Sequence, residues 1–280
     1  MKRLTPSALL IVASVCAASV ADEAIRVAQD NAPEIVVHEL VSEFQSEPVQ
    51  VRVLRPGSRD REKRLPVVYV LPVEAGTGDK YGDGMLEAVR HDLANRLGVI
   101  FVAPTFAQLP WYADHPSERG IRQESHLLTC VLPFIERQYP ARTDASGRLL
   151  VGFSKSGWGA WSLLLRHPDT FGRAAAWDAP LQMNEPGRFG SGPIFGSAEN
   201  FRNYQVSRLL ADRAALLRTQ PTRLILLGYG GFREDHLKTH ELLDSLKIPH
   251  VFRDGPKRKH DWHSGWFREA CELLLAAQPM

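Results

Sequence analysis

Hydrophobic and polar residues alternate through two segments early in the chain, Glu34 to Phe44 and Val49 to Leu54. A period of two sends successive side chains to opposite faces, so both segments predict half-buried strands, antiparallel across a turn at Ser46-Glu47-Pro48. After a charged loop, Arg55 to Arg64, the pattern changes. Leu65 to Leu71, Gly98 to Pro104, Arg148 to Phe153, Arg173 to Trp177, Arg223 to Leu227 and Pro249 to Arg253 are short, nearly continuous apolar runs. Such runs predict strands covered on both faces, as in a parallel sheet.

Segments of helical period lie between these runs. They are Met85 to Leu97, Ile121 to Tyr139, Trp158 to Arg166, Lys238 to Leu246 and Trp266 to Ala277. In the second, Leu127, Leu128, Val131, Leu132 and Ile135 form one apolar stripe. Strands alternating with helices predict an α/β fold: a mostly parallel central sheet, right-handed crossovers, helices on both faces and an antiparallel N-terminal edge. The Gly/Pro/Asn-rich stretch from Asn184 to Asn203 interrupts this rhythm, which then resumes. It therefore predicts an insertion over the sheet rather than a linker, and residues 22–280 read as one domain.

Residues 1–21 read differently. Lys2 and Arg3 precede an apolar stretch, Leu9 to Val15, and then the small residues Ala17 to Ala21. This predicts a signal peptide cleaved before Asp22, and with it export to the periplasm or medium. The apolar stretch is too short to span a bilayer, and no later segment is long and apolar enough. Beyond Cys16 in that segment, only Cys130 and Cys271 remain, both in apolar, apparently helical contexts. They predict buried thiols, with a disulfide as the alternative. A net charge of +2 over 280 residues gives no reason to expect nucleic acid as a partner.

Candidate chemistry concentrates where Arg148–Phe153 runs into the next helix, at Gly152-Phe153-Ser154-Lys155-Ser156-Gly157-Trp158-Gly159-Ala160. A serine on a sharp strand-to-helix turn presents its hydroxyl above the sheet edge, beside a helix N-terminus that favours negative charge. Small neighbours are required by crowding, and Gly152 and Ser156 occupy the flanking places of G-x-S-x-G. Ser154 is therefore the candidate nucleophile. Ser156 is the weaker one, because it falls inside the helix.

A serine hydroxyl needs a base. His260, in the loop after the last predicted strand, is the candidate, with His263 as the alternative. The base needs a carboxylate to orient it. Asp235, after the fifth buried run and before a helix, is the leading candidate. Glu234 beside it and Asp178, directly after Arg173 to Trp177, are the alternatives.

Together these residues resemble the esterase D family of α/β hydrolases, whose relatives include feruloyl and acetyl-xylan esterases and mycolyltransferases. Four pieces carry the resemblance. They are Leu65 to Leu71; Pro104 through Trp111-Tyr112-Ala113-Asp114 with the helix ending Leu132-Pro133-Phe134-Ile135-Glu136; the elbow Gly152 to Ala160, matched place for place except Ser156; and His260-Asp261-Trp262 with Trp266. The resemblance implies a serine-dependent carboxylic ester hydrolase or acyltransferase that needs no cofactor or metal. Its substrate would be a small-molecule or carbohydrate ester.

The resemblance also implies an oxyanion hole of two backbone amides. One is Lys155, and the second belongs to Val73 or Glu74. Many relatives carry His-Gly where this chain has Pro72-Val73-Glu74. Pro72 has no amide hydrogen to donate, and a Glu74 carboxylate turned inward would repel an oxyanion. This departure keeps open a reading of another class, a non-catalytic α/β-hydrolase-like binding domain. Trp111, Tyr112 and Trp262 are candidates for the substrate-binding walls.

Overall fold

The computed structural model describes residues 35–57 and 63–276. The segment read as a signal peptide lies outside them. β1 (Ile35–Leu40) and β2 (Val49–Leu54) form the predicted antiparallel pair. β3 (Val67–Val70), β4 (Ile100–Pro104), β5 (Arg148–Phe153), β6 (Arg173–Trp177), β7 (Leu224–Tyr229) and β8 (His250–Lys257) arise from the six apolar runs. Among the described residues all join one eight-stranded sheet in the order β1-β2-β4-β3-β5-β6-β7-β8. β2 is antiparallel to β1 and β4, and every pairing from β4 through β8 is parallel. The expected α/β architecture with an antiparallel edge is what the chain adopts.

The continuous apolar runs follow from what covers them. Tyr69, Val102, Leu150, Ala176 and Leu226 belong to one core, on the face packed by α5 (Ser154–Arg166) and α8 (Val206–Arg218). Their neighbours Val68, Phe101, Val151, Trp177 and Ile225 belong to a second core. Three helices supply its other side, α1 (Gly84–Arg90), α2 (Leu93–Leu97) and α10 (Trp266–Leu275). Strand side chains alternate between two dry faces, so no polar position is left to break the run.

Two predicted helices prove to be interrupted. Met85 to Leu97 splits into α1 and α2 because Asp92 takes a left-handed backbone, φ 49°. Ile121 to Tyr139 becomes α3 (Gln123–His126) and α4 (Leu132–Gln138), joined by a wide turn at Leu127–Val131. Pro133 lacks an amide hydrogen, which suits a place at the start of α4. The stretch Asn184 to Asn203 contains the short helices α6 (Gly192–Phe195) and α7 (Ala198–Arg202). α9 (Arg233–Ser245) begins earlier than the Lys238 start predicted. Cys130 and Cys271 are buried thiols. Among the described residues no helix is long and apolar enough to cross a membrane.

α5 is buried from Ser156 to Leu165. It lies so close to its surroundings that a Cβ on Gly159 would sit 2.0 Å from Tyr112 Cδ2. Tyr112 cannot easily withdraw, since it is fully buried and its hydroxyl donates to the Pro72 carbonyl. Gly159→Ala should therefore destabilise by roughly 1–3 kcal/mol through overpacking. Thermal unfolding followed by circular dichroism should show a melting temperature several degrees lower. An unchanged midpoint would mean that this contact relaxes freely.

Candidate active site

β5 ends at Phe153, and the chain turns at once into α5 through Ser154, whose φ of 52° is left-handed. A non-glycine residue there costs on the order of 1–3 kcal/mol and persists only where neighbours impose it. Those neighbours are identifiable. The Ser154 N–H donates to Asp178 O at 3.1 Å. Ser156 Oγ accepts from Phe153 N at 3.1 Å and donates to Phe153 O at 2.9 Å, closing the turn on itself. This gives the serine in the second flanking place a structural task. It is fully buried, which removes it as a nucleophile. At Gly152 a Cβ would come within 2.5 Å of the Ser156 backbone, so only glycine fits.

β6 lies beside β5 in parallel register, Phe153 opposite Trp177. The next residue on each strand, Ser154 and Asp178, therefore leaves the sheet side by side. Asp178 is buried and also left-handed, φ 42°. Its Oδ1 accepts from Gly231 N and Phe232 N, each at 2.8 Å. Its Oδ2 lies 2.6 Å from His260 Nδ1. A Cβ on Gly230 would fall 2.5 Å from that Oδ2, so the loop must be bare there. Burial, the largest single influence, opposes ionisation of Asp178. The His260 hydrogen bond and the backbone amides outweigh it and hold the carboxyl below its ordinary pKa. An ionised carboxylate only accepts, so His260 Nδ1 carries a proton, and in the neutral ring the lone pair is on Nε2.

The expected carboxylate is corrected here. Asp235 does not reach His260; its Oδ2 accepts from Gln182 N at 3.0 Å, and burial raises its pKa. Its place in the first turn of α9 points it back toward the residues after β6. Glu234 is exposed and paired with Lys238 at 2.7 Å. His263 is engaged elsewhere, with Nδ1 2.7 Å from Glu87 Oε1.

Ser154, Lys155 and His260 line one cavity of about 350 Å³, together with Tyr81, Pro180, Phe189 and Phe232. The rings of Phe153, Tyr81 and Phe232 surround the His260 imidazole with centroids at 5.1, 5.5 and 5.9 Å. Trp111, Tyr112 and Trp262, expected as walls, are buried in the cores instead. Trp111 packs on Trp158 and Phe195, and Trp262 on Phe153 and Trp177. Tyr112 is placed by its backbone N–H, which donates to Gln123 Oε1 at 2.9 Å. The aromatic residues that do face the cavity sit in irregular segments with no periodicity to mark them.

The loop after β3 is held by its carbonyls. Tyr112 Oη donates to Pro72 O, and Lys155 Nζ donates to Val73 O at 3.0 Å. Each peptide is planar and trans, so anchoring a carbonyl also fixes the opposite direction of the next N–H, that of Val73 and of Glu74. Glu74 Oε2 accepts from Tyr81 N at 3.3 Å, which holds this carboxylate against the Gly/Asp-rich loop. Lys155 has its pKa lowered, chiefly by burial and further by Lys80, while Glu74 works in the opposite direction. The Lys155 backbone N–H lies in the first turn of α5, where no helical partner is available.

A family model described as "Putative esterase" matches residues 42–247. Among solved structures, a ferulic acid esterase is 24% identical, with TM-score 0.69, covering 86% of this chain and 96% of that one. An S-formylglutathione hydrolase from Agrobacterium tumefaciens is 17% identical, with TM-score 0.72 and coverages of 89% and 98%. MPT51 from Mycobacterium tuberculosis is 15% identical, with TM-score 0.60 and coverages of 84% and 94%. At these identities the likeness is one of fold. No curated protein sequence matches this one.

Behind the site, His236 Nε2 accepts from Ala179 N at 2.9 Å, fixing the residue after Asp178. Burial lowers the His236 pKa to about 4, and it does the same to the buried His126 on α3. An unfolded histidine titrates near 6.5, so between about pH 6.5 and 4 the unfolded chain binds protons that the native state refuses. Stability therefore declines as pH falls through that window, by at most roughly 3 kcal/mol per histidine. Urea unfolding should give a lower midpoint at pH 5 than at pH 7.5, with a smaller difference in His126→Leu. Equal differences in wild type and variant would contradict the assignment to His126.

Proposed function

Because the chain belongs to the esterase family, we propose that it hydrolyses a carboxylic ester through an acyl-enzyme, with Ser154 as nucleophile, His260 as base and Asp178 as the residue that orients the base. The observation that carries this reading is the 2.6 Å contact between His260 Nδ1 and the buried Asp178 carboxylate, on an imidazole that lines one cavity with Ser154. With Nδ1 held by Asp178, Nε2 is the ring nitrogen left to act as the base.

In this reading Ser154 Oγ attacks the ester carbonyl carbon as its proton passes to His260 Nε2. The imidazolium that forms is stabilised by Asp178, which stays ionised. The tetrahedral oxyanion takes hydrogen bonds from the Lys155 N–H and from an amide of the Pro72–Glu74 loop. Collapse expels the alcohol, which leaves with the proton from His260. Water, deprotonated by the same nitrogen, then attacks the acyl-enzyme and frees the acid.

The Pro72-Val73-Glu74 sequence is compatible with this role. The two carbonyl anchors orient the loop amides, and the Glu74 carboxylate has its own donor in Tyr81 N. A cavity walled by Tyr81, Phe189 and Phe232 suits a flat aryl or sugar group on the ester. A ferulic acid esterase shares this fold, which makes feruloyl esters one acyl class to compare. Export, argued from residues 1–21 alone, would put such a substrate outside the cytoplasm.

Hydrolysis of a short nitrophenyl ester separates the roles. Ser154→Ala and His260→Ala should each lower kcat by roughly 10⁴-fold or more. Asp178→Asn should lower it by about 10³–10⁴-fold, whereas Asp235→Asn should stay near wild type. A near-normal rate in Asp178→Asn, or a collapse in Asp235→Asn with the fold intact, would overturn the assignment of the acid. Feruloyl and acetyl esters, compared by kcat/KM, would then test the acyl preference.

A further inference from the structure

At the opposite edge of the sheet from Ser154, where β8 begins, the chain brings a second chemical cluster together. His240 and Asp244 lie one turn apart on α9, hence on one face of that helix. The tight connection after α9, with Lys247 at φ 55°, returns the chain so that His250 opens β8. His240 Nδ1 and His250 Nε2 are 2.8 Å apart. Asp244 Oδ1 is 3.9 Å from that same Nε2, and one ligand atom from each residue lies within 4.8 Å of the others.

The protonation pattern is constrained. His250 Nδ1 lies 2.8 Å from Ile248 O, and a carbonyl can only accept, so Nδ1 carries the proton and the Nε2 lone pair points into the cluster. A backbone carbonyl on the far nitrogen is the partner that metal-bound imidazoles usually have. The ring is also fixed, with the His250 side chain only 7% exposed. The His240 ring is clamped by stacking on Phe252, with centroids 4.2 Å apart and 22° between planes. The Asp244 side chain is 63% exposed, and its Oδ2 lies 3.5 Å from His240 Nε2.

We propose that His240 Nδ1, His250 Nε2 and the Asp244 carboxylate form a zinc site, with water completing a tetrahedron and the proton that His240 Nδ1 presents to His250 moving to His240 Nε2 as the ion binds. Two imidazoles and one carboxylate suit this borderline-soft ion better than calcium or magnesium, which prefer oxygen. Zinc–nitrogen bonds of about 2.0–2.1 Å in a tetrahedron set the two nitrogens roughly 3.3 Å apart, so the rings need part by only about half an ångström. The ion would tie the last turns of α9 to edge strand β8. These two elements also frame the loops that carry the Asp178-binding amides and His260, but the ion takes no part in the reaction. The site is independent of the hydrolase reading.

The test uses the full chain, stripped with a chelator and exchanged into metal-free buffer. Zinc is titrated by calorimetry, and thermal unfolding is measured with and without a modest excess of the metal. The expected result is one zinc bound per chain and a melting temperature raised by roughly 2–4 °C or more. Asp244→Asn, a change at an exposed position, should weaken binding by roughly tenfold, and His240→Ala should abolish the thermal shift. The competing account, a simple His240–His250 hydrogen bond, predicts no zinc effect. Absence of binding by the wild type, or wild-type affinity in either variant, would overturn the proposal. Neither readout depends on ester hydrolysis.

Discussion

The hydrogen bond between His260 and the buried carboxylate of Asp178 is the interaction on which the rest of the site depends. A carboxylate removed from water is costly unless each oxygen is satisfied. Here one oxygen takes two backbone amides from the loop between β7 and α9, and the other faces the imidazole. The same residue receives the Ser154 N–H on its own carbonyl. Asp178 thus connects three chain segments, the turn after β5, the loop after β7 and the loop after β8, and it makes their relative positions interdependent.

The sheet makes this convergence possible. In parallel strands the C-terminal ends lie along one edge, so neighbours in register release their next residues at the same height. β5 and β6 do so with Ser154 and Asp178, both in left-handed backbone. Beneath them, Phe153 and Trp177 stack with ring centroids 5.6 Å apart, and Trp262 closes on both. The strain in the two turns is held by this aromatic layer and by the Ser156 hydroxyl. Trp262, which resembled a pocket wall in the sequence, is therefore part of the floor beneath the two turns.

Much of the fold was legible because each strand is either half-covered or wholly covered, and the two cases leave different periods in the sequence. The elbow was legible for a related reason, since crowding at a strand-to-helix turn restricts residues 152 to 160 to small side chains around Ser154. Asp178 was harder to rank above Asp235. Both follow apolar runs, and nothing in the local sequence reveals that the Gly228–Phe232 loop turns amides toward Asp178 rather than a carboxylate toward His260. Trp111, Tyr112 and Trp262 misled because a loop folded back over a core buries its aromatic residues as completely as a helix does. Tyr81, Phe189 and Phe232 were missed because segments without regular period carry no signal of the direction a side chain takes. The interruptions at Asp92 and Leu127–Val131 were hidden for the converse reason, as the apolar stripe continues across them.

The most direct test of the account is covalent capture of the Ser154 hydroxyl. Intact protein treated with a fluorophosphonate and digested for mass spectrometry should carry a single adduct on Ser154, formed much more slowly in Asp178→Asn than in wild type. An adduct on another residue, or unreactive but folded wild-type protein, would contradict the claim that Asp178 and His260 together activate Ser154.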